Sequence, residues 1–381
     1  MDPKEFILSE VREYYSKAAA LAPSSIEKRE FAYGDFEHKI LQRHLSFKGE
    51  KELREFLVEK APMHVHYSPA LYKYPDARPM EAKGLLGAEL TFDIDITDMD
   101  LPCQKVHGKD LVCNDCLGVA KEEAFKLIED FLVPDFGFSK DEIEVNFSGN
   151  RGYHIHVLSP SAMELSEDAR KEVADYISGR NLNFSEIFPT MGQRGILMGP
   201  KPDDYGWGGK IARNFLKALE NGPDALMALG IERRIAKNLY RKKALVEMGI
   251  KNGNWDMVYI KKKKDFWENI LKRQVIKQSD LIDKNVTSYT THTIRLPNTI
   301  HGSTGLLAKK VSLPDLEKFD PLKEAIVFKR GEMKIRVEKI PAITLNGEFY
   351  GPLEKSELYV PSYVGIYLYL KGLAQILEIS K

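Results

Sequence analysis

Cysteine is scarce in this chain: among 381 residues there are three, Cys103, Cys113 and Cys116, all inside one short stretch. An odd, clustered set excludes a disulfide framework and points to a reducing compartment. Long apolar runs are missing too, and nothing approaches the roughly 20 residues of a membrane span. The N-terminal MDPKEFILSEVREYY is acidic and amphipathic, without the apolar core and small-residue site of a signal peptide. Net charge is also lacking, because 56 Lys and Arg balance 56 Asp and Glu. No overall field therefore steers the molecule to nucleic acid or an anionic membrane, and any polyanion must be held by a local basic surface. What is present is a 43% apolar composition, which excludes a disordered chain. The length implies one large domain with an insertion, or two domains. No internal repeat occurs, and no low-complexity tract beyond KKKK at 261–264.

Periodicity predicts a helix over 2–21, with Phe6, Ile7, Val11, Tyr14 and Tyr15 at helical spacing. REFAYGDFEHKILQRHLSF reads as a hairpin around Gly34-Asp35, and GAELTFDIDI at 87–96 as a strand. A Cys-rich loop, a helix at 118–132, and strands at 143–147 and 153–158 joined by the turn SGNRG follow. SEDARKEVADYISG is a capped helix with a glycine stop. Residues 208–274 are nearly all helical in pattern, broken at Asn221-Gly222-Pro223 and near 251–254. Strand patterns return at 291–296 and 325–350, where Arg330-Gly331 and Asn346-Gly347 are hairpin signals; VPSYVGIYLYLKGLAQIL reads as an apolar helix packed on the core. The expected organisation is an α/β core whose first part is 1–200, a helical insertion at 201–274, and a second part of the core at 275–381 ending in that helix.

FDIDITDMD, residues 92–100, holds four aspartates. On a strand, Asp93 and Asp95 project from one face while Phe92, Ile94 and Ile96 fill the other. Like charges so close repel unless a cation lies between them, and Mg²⁺ takes one or two carboxylates while leaving positions for water and phosphate. Taken alone, the pair is better explained by a solvated strand face at a sheet edge, and as a motif it would fit a glycosyltransferase, nuclease or polymerase. Asp98 and Asp100 read as turn residues. Downstream, CQKVHGKDLVCNDC offers Cys103, His107, Cys113 and Cys116, three thiolates and an imidazole that would close a tetrahedral, structural zinc shell; buried thiols are the plainer alternative. SGNRGYHIHV supplies Ser148, Arg151, His154 and His156, with glycine-freed amides suited to phosphate. IDKNVT and TIRLPNTIHGSTG add Asp283, Arg295 and His301. The Lys261–Lys264 run reads as a solvated face. Carboxylates for metal and cations for phosphate, together on a strand-turn scaffold, point to nucleotidyl transfer assisted by two divalent ions.

The order and wording of these motifs resemble the small, catalytic subunit of archaeal and eukaryotic-type DNA primase: REFAY, LTFDIDITDMD, the Cys/His knuckle, DFGF, SGNRGYHIHV, IDKNVT and IRLPNTIHGSTGL, spanning about residues 29–305. The resemblance implies the archaeo-eukaryotic primase catalytic fold, α/β, with a zinc-binding knuckle at 103–116 and a helical subdomain. It implies that Asp93, Asp95 and Asp283 hold Mg²⁺ or Mn²⁺. It also implies that Ser148, Arg151, His154, Arg295 and His301 hold the phosphates of the incoming nucleotide, with Arg43 a further nucleotide contact. Asp283 matches the family pattern better than Asp280. Asn150 stands where some relatives carry another Arg, and Arg295 where some carry Lys, which exchanges a point charge for a planar fork. The implied activity is synthesis of short RNA primers on single-stranded DNA from nucleoside triphosphates, with some relatives also using deoxynucleotides. The implied partner is a large primase subunit bearing an iron-sulfur cluster, and the implied setting is the archaeal cytoplasm. Two other readings remain: a primase-fold polymerase of end joining or repair, which commonly lacks the knuckle, and a zinc-containing nucleic-acid-binding protein with a structural acidic cluster.

Overall fold

The computed structural model describes residues 2–180, 182–193, 195–279 and 282–380, so Asp280 lies outside the described residues. The chain divides into two compact units: Met1–Ala124 with Ser139–Lys171 and Asp283–Lys381, and Phe125–Phe138 with Glu172–Ile282.

The first unit is organised around a four-stranded antiparallel sheet in the order Lys309–Val311, Ile143–Phe147, Gly152–Val157, Leu90–Asp95. Its register aligns Phe92 with Ile155 and Val145, and Ile94 with Tyr153 and Phe147. These six side chains are fully buried on one face. Burial of each such side chain stabilises the sheet by roughly 1.5–3 kcal/mol. Period-two alternation leaves Asp93, Asp95, His154 and Asn146 on the opposite face. A second antiparallel sheet runs Ile294–Arg295, His64–Tyr67, Phe31–Gly34, Gln42–Leu45. A third combines Leu353–Pro361, Glu332–Ile340 and Ala374–Ser380.

Four local expectations are corrected. GAELTFDIDI is two strands rather than one: Leu85–Ala88 pairs with Ala70–Tyr72, and Leu90–Asp95 joins the central sheet. The break falls at buried Glu89, whose carboxylate accepts from Arg29 and from His156 Nδ1. The helix expected at 118–132 starts earlier, at Asn114, and gives way after Leu127 to a π-helical turn, Ile128–Leu132. Of the two hairpin signals, Asn346-Gly347 does turn a hairpin, with Leu345 opposite Glu348 and φ of +56° and +79° at the two turn residues. Arg330-Gly331 merely precedes a strand. The closing apolar segment is helical only over Ser362–Leu370. Gly372, at φ +71°, ends the helix while the Leu373 amide reaches back to the Leu368 carbonyl, and the chain returns as the strand Ala374–Ser380.

The second unit is mainly helical, with Gly206–Asn221, Pro223–Ala228, Arg233–Arg241, Lys243–Lys251 and Lys263–Ser279. Its core is aromatic: Trp255 meets Trp267 edge-on at 4.8 Å between ring centroids, and Phe215 and Phe188 close on the pair at 4.9 and 5.2 Å. Such contacts add about 0.5–1.5 kcal/mol each beyond area burial.

Candidate active site and metal centre

Antiparallel pairing of Leu90–Asp95 with Gly152–Val157 sets Asp93 opposite His154 and Asp95 opposite Gly152, the last residue of the SGNRG turn. Gly152 has no substitute there, because an added Cβ would lie 1.7 Å from the Ile94 carbonyl oxygen. Arg151 thereby sits beside the strand end, with Nη2 3.5 Å from Asp95 Oδ2, while His154 Nε2 is 3.6 Å from Asp93 Oδ1. Asp283 joins through the backbone: its amide donates to the Asp93 carbonyl at 3.1 Å, and its carboxylate caps the short helix Lys284–Ser288 by accepting from the Asn285 amide. Burial, reinforced by the carboxylates of Asp95 and Asp283 and opposed by Arg151, pushes Asp93 up to about 7. Asp93 therefore feels both other carboxylates, although among the described residues the three acids do not form a group as tight as the cysteine cluster described below.

The Ser148 hydroxyl accepts from the amides of Asn150 and Gly152 at 3.3 and 3.2 Å, which leaves its own proton to donate elsewhere. Gly149, at φ +81°, allows the turn to approach His301; an added Cβ there would stand 2.8 Å from the His301 Cβ. Arg295 lies on the second sheet opposite His66, and its Nη2 donates to His64 Nδ1 at 2.8 Å. Burial, with Arg295 beside it, lowers His64 to about 3, so this imidazole is a neutral acceptor. Burial, then His156 and Arg295, lowers His154 to about 3, and burial beside Arg295 holds His301 well below the usual histidine range. Arg151 Nε, His154 Nδ1 and Arg295 Nη1 are buried without a hydrogen-bond partner among the described residues. Orphaned donors of this kind carry a desolvation penalty that an anionic ligand would relieve.

Arg43 is engaged elsewhere: its Nε donates to Glu30 Oε1 at 2.9 Å and its Nη2 to the Thr291 carbonyl at 3.2 Å. His156, singled out in the sequence beside His154, is held by buried Glu89. One residue at the site carries no signal in the sequence. Lys371, just past the Ser362–Leu370 helix, donates to Asn150 Oδ1 at 3.2 Å and to the Asp110 carbonyl at 2.5 Å. Its charge acts on His301, and burial next to Arg151 lowers it to about 8. Nothing local in LYLKGLAQ distinguishes it from any other lysine.

Cys103, His107, Cys113 and Cys116 place one ligand atom each within 4.8 Å of all the others, the only group of three or more His, Cys, Asp or Glu side chains this close among the described residues. Cys103 and Cys113 Sγ lie 3.1 and 3.5 Å from Cys116 Sγ, and His107 Nε2 lies 3.2 Å from it. His107 Nδ1 faces the Gly108 carbonyl at 2.7 Å, which fixes the proton on Nδ1 and leaves the Nε2 lone pair to the cluster. The donor set is that of a closed, structural metal site. Gln104 anchors the knuckle just past the end of the acidic strand, its Nε2 donating to the Ile96 carbonyl at 2.8 Å.

Acids beside unpartnered phosphate-seeking donors, on adjacent strands of a mixed helix and strand unit, characterise the class of nucleotide-handling enzymes. Comparison with known proteins narrows the class. Residues 92–313 match the family model of the DNA primase small subunit. The chain is 34% identical to the DNA primase small subunit PriS of Methanococcoides burtonii, covering 98% of each. It is 34% identical to that of Methanosarcina barkeri over 97% of this chain and 96% of the relative. Against the Thermoplasma acidophilum protein identity is 31%, over 95% of this chain and 98% of the relative. The chain belongs to the DNA primase small-subunit family, whose members are nucleotidyltransferases that synthesise primers for DNA replication.

Two measurements bear on this geometry. Cys116→Ser should lower the melting temperature and the bound-metal content together; a folded variant with full metal content and unchanged melting would count against a structural centre. Asp93 has a folded pKa above its unfolded value near 4, so the metal-free fold loses stability as pH rises from about 4 to about 7. Asp93→Asn removes that loss and, in chelator, should stabilise the chain on the order of 1–3 kcal/mol more at pH 8 than at pH 5. Equal melting shifts at the two pH values would contradict the burial and repulsion inferred at Asp93.

Proposed function

We propose that this chain makes short RNA primers on single-stranded DNA from nucleoside triphosphates, with deoxynucleotides as further substrates, and that it works with a large, iron-sulfur primase subunit in the archaeal cytoplasm. The observation that carries this reading is the strand register that sets Asp93 opposite His154 and Asp95 beside Arg151. It puts metal-seeking and phosphate-seeking groups one strand apart. Asp93, Asp95 and Asp283 are the residues that would hold Mg²⁺ or Mn²⁺, and the four Cys/His groups would hold structural zinc. When bound, two divalent ions supply Lewis-acid activation of the attacking hydroxyl and neutralise the leaving pyrophosphate.

The chain's own groups do the binding. Arg151 and Arg295 offer guanidinium donors, the Ser148 hydroxyl a proton, and neutral His154 and His301 ring nitrogens to the triphosphate. Lys371 adds a cation beside Asn150. Arg43, held by Glu30, stands ready for another part of the nucleotide. The helical stretch at 201–274 is read as a subdomain inserted into the catalytic core. The Cys/His cluster favours a replicative primase over a primase-fold polymerase of repair.

An assay with Mg²⁺ or Mn²⁺, single-stranded template and labelled nucleotides tests the reading. Asp95→Ala should abolish incorporation, a loss of 10³-fold or more on the order of a removed charge-stabilising group, with little change in melting; incorporation at the wild-type rate would sink the metal assignment. Lys371→Met should raise the KM for nucleoside triphosphate about tenfold with little change in kcat, the cost of one charge-assisted hydrogen bond. Adding Asn150→Arg to Lys371→Met should restore most of that loss. An unchanged KM in the single variant would remove Lys371 from the phosphate pocket.

A further inference from the structure

The helical unit carries a concentration of positive charge that the site above does not use. Residues 233–264 contain eleven Lys and Arg against two acids, Glu247 and Asp256, in a chain whose charges cancel overall. The helix Arg233–Arg241 sets Arg234, Lys237 and Arg241 at i, i+3 and i+7, along one face, and all three are exposed. This face and the segment around Tyr259 and Lys261 line a groove of about 720 Å³, in which Glu232 is the single acid. Arg241 is steadied by donating to Asn238 Oδ1 at 3.1 Å.

The lysine run following the groove divides. Lys263 pairs with Asp256, and Lys264 approaches Glu268 at 4.0 Å. Lys261 lines the groove, and neither it nor Arg234 or Lys237 makes an ion pair among the described residues. Tyr259 is 90% exposed, while Val258 and Ile260 on either side are buried at 4% and 7%. The buried neighbours anchor the backbone, so the ring is held out from a fixed base.

Four cations converging on one groove repel one another until a polyanion lies between them. An acidic protein surface would be served by the cations alone, and a closed duplex offers no unstacked base to a projecting ring. Cations that track a backbone, together with an exposed aromatic on which a base can stack, suit single-stranded nucleic acid. We propose that this groove binds single-stranded DNA, with phosphates on Arg234, Lys237, Arg241 and Lys261 and a base stacked on Tyr259. Only the identification of that strand as the primer template rests on the function proposed above.

The test uses the full chain and a fluorescein-labelled 25-nucleotide oligodeoxythymidylate, with affinity read by anisotropy over a series of salt concentrations. Tyr259→Ala should weaken binding about 5-fold or more, the cost of one base stack, and Tyr259→Phe should retain it. The triple variant Arg234→Gln, Lys237→Gln, Arg241→Gln should flatten the slope of log K against log salt by about 2, at roughly 0.7 for each phosphate of a single strand that is no longer neutralised. Variants that melt like the wild type yet keep its affinity and salt slope would overturn the proposal. Loss of large-subunit binding with unaltered oligonucleotide affinity would assign the groove to a protein instead. If the wild type binds the oligonucleotide through this groove but incorporates no nucleotide, the primase reading fails and the groove stands. If the wild type incorporates nucleotide while the groove variants bind and extend normally at sub-saturating template, the groove alone fails.

Discussion

The antiparallel pairing of Leu90–Asp95 with Gly152–Val157 is the constraint on which the rest of the candidate site depends. Because side chains alternate with period two, one register fixes both faces at once. Phe92, Ile94, Tyr153 and Ile155 supply the buried face that holds the pair together, and Asp93, Asp95 and His154 are delivered to the other. A slip of one residue would send the aspartates into the core, where unpaired carboxylates are far more costly than the repulsion they bear now. Gly152 guards the register from the turn side, since no larger residue can pass the Ile94 carbonyl.

Distant segments are tied to this pair by single contacts. Asp283 arrives by donating its amide to the Asp93 carbonyl, nearly two hundred residues back in the chain. The Cys/His knuckle hangs directly from the end of the acidic strand and is secured by Gln104 to the Ile96 carbonyl. Lys371 bridges the Asp110 carbonyl in the knuckle loop and Asn150 in the SGNRG turn. A metal held by the knuckle would therefore act through position, by stiffening the loop between the acidic strand and Lys371.

The parts legible in the sequence are those whose signal is local. The alternation of FDIDI, the glycines of SGNRG and the spacing of Cys103, His107, Cys113 and Cys116 each imply a geometry within a few residues, and the strands, turn and cluster are found there. Features set by distant pairing were not legible. AQILEIS is equally compatible with helix and strand by apolar content, and becomes a strand because Glu332–Ile340 offers it an edge. Lys371 acquires meaning only from the turn it meets across 221 residues of sequence. The Arg295–His64 contact likewise joins residues 231 apart. Arg43 carries a motif resemblance, but only the fold reveals that buried Glu30 sets its direction.

The electrostatics of the site are unbalanced in opposite senses on neighbouring strands. On the acidic side, burial and then the neighbouring carboxylates of Asp95 and Asp283 raise Asp93 to about 7. Facing them from the neighbouring strand and its turn are His154 and Arg151, and on the second sheet Arg295 is 6% exposed, donates to neutral His64, and is lowered by burial to about 10. His64, His154 and His301 are held neutral by burial, so they add acceptors and donors without adding repulsion. Among the described residues, Arg151 approaches Asp95 only at 3.5 Å and neutral His154 approaches Asp93 only at 3.6 Å, both loose for a hydrogen bond. The strand register thus holds acids and cations near one another without pairing them tightly, a charge distribution that suits the triphosphate and divalent cations proposed as ligands.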